Sequence, residues 1–122
     1  MFNLAKIMNT FVNLRTKSMS HGHLTSQNIF VQIPENLEEL ENNLKVQVEG
    51  FETTDLKKYA NMFYSYKNVT VWSSPEVLKQ PKKIAEPNQA IDVYSFGFIL
   101  WELFHEHIPF DGDIAACTRY VL

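Results

Sequence analysis

The 122 residues contain one cysteine, Cys117. A lone thiol cannot close an internal disulfide, so the chain is no disulfide-held secreted scaffold, and a reducing, cytoplasmic setting is expected. No apolar run approaches the ~20 residues a membrane-spanning helix needs, so no transmembrane segment is expected. The opening stretch, MFNLAKIMNTFVNLRTK, lacks the unbroken apolar core and small-residue cleavage site of a secretory signal. It carries Lys6, Arg15 and Lys17 and no acid, so a mitochondrial presequence is the alternative to a helix of the folded domain. Positive charge is also in short supply. With 11 Lys and Arg against 14 Asp and Glu, the net charge is -3, which offers little to a nucleic-acid backbone. There is no internal repeat. What remains is an ordinary globular composition of a length that supports one core, so residues 1–122 are expected to form one unit.

Leu4, Ile7, Met8, Phe11 and Leu14 recur at helical spacing and predict an amphipathic helix. It has no N-cap and reads as the later part of a longer element. Ile29 to Gln32 predicts a short strand. Leu44, Val46 and Val48, alternating with Lys45 and Gln47, predict a second one. The acidic PENLEELENN between them reads as a solvated excursion, with Pro34 opening a short helical turn. The two strands make a hairpin. Residues 49–72 show no periodicity, and a stretch of that length without structure is functional or mobile. IDVYSFGFILWELF is apolar on nearly every side, which predicts a helix buried all round. Asp92 is expected to cap its start and Trp101, like Trp72, to serve as a core anchor. DGDIAACTRYVL begins another helix, capped by Asp113.

Three stretches carry more than fold. HGHLTSQN, at 21–28, has the outline of H-R-D-L-x-x-x-N, with His23 where the Asp belongs. WSSPE, at 72–76, brings Pro75 and Glu76. DVYSFGFILWEL, at 92–103, is the most specific. In this order they resemble the catalytic loop, the end of the activation segment and the central helix of a protein kinase. Between the first two, Gly50-Phe51-Glu52 stand where Asp-Phe-Gly is expected. A second alignment puts Val48-Glu49-Gly50 there. The first keeps the Phe and the strand alternation; under either, the metal-binding Asp is absent.

The HG-x loop, the GFE turn and the YSFG-x-x-LWE helix followed by IPF resemble the mixed-lineage-kinase-domain-like pseudokinases, within the tyrosine-kinase-like branch. The resemblance implies a mainly α fold with a small β-hairpin, a kinase-like C-lobe truncated at both ends. The N-lobe, with its Gly-rich loop and β3 Lys, the last C-lobe helices and that family's four-helix bundle are not in these residues. It also implies a role in necroptotic signalling and an upstream receptor-interacting-type kinase that docks on the lobe. Phosphorylation of the activation segment follows from it, with Thr53, Thr54 and Ser65 as candidate sites. So do membrane recruitment and oligomerisation of the full-length protein. In complete kinases Glu76 would pair with an Arg on a later helix.

Phosphoryl transfer needs a base or orienting carboxylate, oxygen ligands for Mg²⁺ and clamps for the phosphates. His23 replaces the carboxylate, Gly50 has no side chain to hold a hard cation, and Thr25 replaces the usual basic residue. Asn28 alone is a poor Mg²⁺ site. No cofactor is therefore expected, and ATP binding would require a full-length protein. Losing several cooperating groups leaves little to rescue singly. An imidazole accepts protons, so a kinase that uses His23 is one alternative, and a non-functional fragment is another. The plainer readings are that Asn28 holds the loop by backbone hydrogen bonds and that His21 is a core histidine beneath it. HGH and HEH supply four imidazoles. A zinc site is set aside, because H-x-H points its ligands to opposite sides of an extended segment and no Cys assists.

Overall fold

The computed structural model describes residues 9, 20–39, 43–49, 69–80 and 89–122. Five elements organise them: β1 (Ile29–Gln32), β2 (Lys45–Val48), α1 (Pro75–Lys79), α2 (Gln89–His105) and α3 (Ile114–Val121). The predicted amphipathic helix at 4–14 and the loop at 81–88 lie outside the described residues.

The two strands pair antiparallel, with Ile29 opposite Val48 and Val31 opposite Val46. The β-branched residues thus share the half-buried face, while Phe30, Gln32, Lys45 and Gln47 share the exposed one. This is the hairpin that the period-2 alternation predicts. In the acidic connection the 3₁₀ turn is Leu37–Glu39, beyond Pro34. Pro34 does not open it, because the Asn36 carboxamide sets the start by accepting from the Glu38 N–H at 3.1 Å.

A core of Leu24, Val71, Trp72, Leu78, Ile99 and Cys117 joins the loop before β1, the segment before α1, and all three helices. Ile29 and Val48 bring the hairpin onto it. Pro75 takes the first position of α1, where its missing N–H costs nothing. Asp113 caps α3 as its sequence predicts, its Oδ1 accepting from Ala115 N (2.8 Å) and Ala116 N (3.2 Å). Between α2 and α3 the chain turns through Pro109–Gly112, with Phe110 and Asp111 both at φ 54°. That left-handed pair lets Pro109 stay buried while the Phe110 ring meets Phe98 at 5.7 Å.

Helix α2 departs from expectation twice. It is not buried all round: Val93 is 54% exposed, Trp101 38% and Phe104 72%. The side turned to the core carries Ile91, Asp92, Ser95 and Ile99. Polar groups occupy that side because the neighbouring loops need hydrogen-bond partners there, and among the described residues little covers the opposite one. Trp101 is therefore no core anchor; it stacks on His105 at 4.2 Å. Asp92 is not the cap either. The helix begins at Gln89, and the Asp92 side chain points instead at the catalytic-like loop.

Cys117 is fully buried, and its thiol donates to the Val71 carbonyl at 3.7 Å. Burial pushes this thiol above its ordinary value of 9.0. The folded protein then holds the proton when the unfolded chain has released it. Stability is fully present below pH about 9 and falls as pH rises through the folded value. Urea midpoints taken between pH about 8 and 10 should drop for the native sequence and drop less for Cys117→Ala. Burial also raises Tyr94, which adds its own loss at the upper end of that range and persists in the variant.

Candidate functional site

The loop from Ser20 to Asn28 is built by four sets of bonds. Asp92, 8% exposed, grips its start: Oδ2 accepts from Ser20 Oγ (2.8 Å) and His21 N (2.7 Å), and Oδ1 from Gly22 N (2.8 Å). Gly22 sits at φ +76°, a left-handed turn that glycine takes without strain and that aims both amides at one carboxylate. His21 is 4% exposed. Its Nε2 donates to the Glu49 carbonyl at 2.8 Å, and its Nδ1 accepts from His23 N at 3.2 Å, which fixes the Nε2–H tautomer. The imidazole thus ties the loop to the end of β2. Leu24, 1% exposed, plugs the loop into the core.

The loop closes in a 3₁₀ turn, Ser26–Asn28. Asn28 N donates to Thr25 O at 3.1 Å, and Thr25 Oγ1 donates to Asn28 Oδ1 at 3.0 Å. Asn28 O in turn accepts from Glu49 N at 2.8 Å. The carboxamide oxygen that would face a metal is engaged by Thr25, itself 3% exposed. His23 is half-buried in the bend that precedes this turn. Among the described residues no three His, Cys, Asp or Glu side chains come together to hold a metal.

The end of the activation-like segment docks on α2 and α3. Ser95 Oγ donates to Trp72 O (2.9 Å), and Trp72 Nε1 donates to Glu102 Oε2 (2.9 Å). Glu76, on the first turn of α1, is exposed; its carboxyl is held below the ordinary range chiefly by a backbone N–H. Gly50, Phe51 and Glu52 lie outside the described residues, as do Thr53, Thr54 and Ser65.

The structure therefore gathers His21, Gly22, His23, Asn28 and Asp92 at one place and sets Pro75 and Glu76 on the neighbouring helix. Trp101 lies apart on the open side of α2. Ser95 and Glu102 were not picked out from sequence. Their signal is the spacing of 92, 95 and 102, which puts the Asp, the Ser and the Glu of that apolar stretch on one helical face with Ile99.

A loop of this outline gripped by a central helix, with a Ser-Pro-Glu turn docked beside it, defines a protein-kinase-like lobe. The family model for the protein tyrosine and serine/threonine kinases matches residues 2–115, and the chain belongs to that family. It is 36% identical over 102 residues to the probable serine/threonine-protein kinase roco8 of Dictyostelium discoideum, across 83% of this chain and 5% of that protein. It is 28% identical over 99 residues to the serine/threonine/tyrosine-protein kinase HT1 of Arabidopsis thaliana, across 81% of this chain and 22% of the other. With the mitogen-activated protein kinase kinase kinase dlk-1 of Caenorhabditis briggsae the identity is 29% over 99 residues, across 80% of this chain and 10% of the other. The chain thus spans less than a quarter of the length of each of these relatives.

Proposed function

We propose that this chain is the non-catalytic signalling part of a kinase-fold protein, a pseudokinase lobe that works by binding a partner and by switching of its activation segment. The observation that carries the reading is the engaged loop. His23 stands in place of the carboxylate, and the remaining amide, Asn28, spends its oxygen on Thr25. A site that must orient a hydroxyl and hold Mg²⁺ is left with an imidazole for the first task and one already hydrogen-bonded amide for the second. The likeness to the mixed-lineage-kinase-domain-like pseudokinases extends the reading to necroptotic cell death. The partner is then an upstream receptor-interacting-type kinase, and the full-length protein is cytoplasmic, oligomerises and is recruited to membranes. ATP plays no catalytic part. The relatives' names favour a second reading, residual kinase activity with His23 accepting the substrate proton.

The switch has a specific form. Thr53 and Thr54 follow Glu52 and adjoin Asp55, and a phosphate there adds about -1.5 to -2 charge beside two carboxylates. Repulsion, or pairing with Lys57 and Lys58, then changes the surface a partner meets. Ser65, with Lys67 nearby in sequence, is the runner-up. The full-length protein, incubated with its activating kinase, should carry phosphate at one of these three residues. Hydrogen exchange across 69–80 should change with it. Stoichiometric phosphorylation with unchanged exchange would reduce the lobe to a passive scaffold.

A further inference from the structure

Glu102 joins two segments that the reading above treats separately. It lies half-buried near the end of α2. Its Oε1 accepts from Ser26 Oγ at 3.0 Å and its Oε2 from Trp72 Nε1 at 2.9 Å. Ser26 opens the 3₁₀ turn of the catalytic-like loop, and Trp72, 6% exposed, ends the activation-like segment. A carboxylate offers two oxygens, and here each holds a different segment. The Trp72 backbone is held by the same helix, its carbonyl accepting from Ser95 Oγ at 2.9 Å. Its neighbour Val71 is held by the Cys117 thiol. Ten residues before Glu102, about 15 Å along the helix, Asp92 grips the other end of the loop. Helix α2 thus holds the loop at both ends and the activation-like segment through Ser95 and Glu102, and Glu102 is the side chain that bonds both segments at once.

We propose that Glu102 is a coupling residue, through which displacement of the activation segment at Trp72 is felt by the catalytic-like loop at Ser26, and the reverse. This rests on the switching role proposed above and supplies its internal linkage. When Trp72 withdraws, a half-buried carboxylate loses one of its two donors and turns toward water, and Ser26 loses a fixed partner. Coupling of this kind is reciprocal by thermodynamic necessity. A purely structural role for three separate hydrogen bonds makes no such demand.

The test is hydrogen exchange on the full-length protein carrying Ser26→Ala, which removes only a hydroxyl, or Trp72→Phe, which removes the indole N–H together with part of a core ring. The indole N–H resonance of Trp72 is followed in a Trp101→Phe background. Ser26→Ala should speed exchange at 69–74 and shift that resonance, and Trp72→Phe should speed exchange at 21–28. The expected size is roughly 2- to 30-fold in each direction. In Glu102→Leu both segments should loosen, and neither second substitution should then add to the distant effect. Glu102→Gln, which can still accept from the indole and donate to the Ser26 hydroxyl, should behave like the native protein. If each substitution speeds exchange only in its own segment, the coupling is refuted, whatever the functional reading. Phosphotransfer by the protein would refute the functional reading and leave a reciprocal result standing.

Discussion

Asp92→Ala should lower the unfolding free energy by about 3–5 kcal/mol, because a buried donor left without its acceptor costs roughly 1–3 kcal/mol, and one of the three donors here is buried and two are half-buried. Three donors converge on this side chain, two of them backbone amides that have no rotamer with which to seek another partner. Domains have about 5–15 kcal/mol of stability in all, so the loss is a large share. Asp92→Asn keeps one acceptor oxygen but turns an NH₂ toward the other donors, so it should fall between the native protein and the alanine variant. Urea denaturation gives the magnitude, and hydrogen exchange at 20–24 gives the place, which should be the first to open. A loss under about 1 kcal/mol would mean that His21 and Leu24 hold the loop unaided.

The two tryptophans should behave oppositely. Trp72 is 6% exposed, packs in the core and donates its indole N–H to Glu102. Truncating a buried aromatic of this size costs about 3–5 kcal/mol in lost transfer energy and cavity, and here a bonded carboxylate also loses its donor. Trp101 is 38% exposed, with His105 as its ring partner. Trp101→Ala should cost about 1 kcal/mol or less, the range of surface changes. Thermal unfolding of the two variants side by side checks the order. A larger loss at Trp101 than at Trp72 would mean that the open side of α2 is covered and that the core lies there instead.

That contrast marks where the sequence was legible. Alternation at 44–48 and the short segment at 29–32 predicted both strands and the hairpin they form, because a strand with one buried face alternates in sequence. Asp113 was readable as a cap, since the short carboxylate before IAAC has few other uses. The loop outline and the Ser-Pro-Glu turn were readable as motifs, and the family they indicated is the one the chain belongs to. Helix α2 misled because composition says how apolar a helix is but not which side faces inward. A side with Asp92, Ser95 and Glu102 looks like the wet side. It faces inward because the loop at 20–26 brings amides and hydroxyls, and Trp72 an indole N–H, that need acceptors there, while the Trp72 carbonyl takes the Ser95 hydroxyl; only tertiary placement reveals those partners. Asp92 was misread for the same reason. As a single residue near a helix start it looks like a cap, and its true partners lie some seventy residues away. Nor could the sequence show that Asn28 is engaged by Thr25, since a three-residue separation is silent about which hydroxyl turns inward.

The central claim is that the loop at 21–28 performs no phosphoryl transfer. The direct measurement is incorporation of radiolabel from ATP by the full-length protein, with Mg²⁺ or Mn²⁺ and a generic protein substrate, alongside His23→Ala and His23→Asp. The account predicts the no-protein background for all three, because under the proposed reading a carboxylate restored at 23 still leaves Gly, with no side chain to ligate a metal, at position 50. Incorporation above that background by the native protein, abolished in His23→Ala, would contradict it and make the chain part of a working kinase.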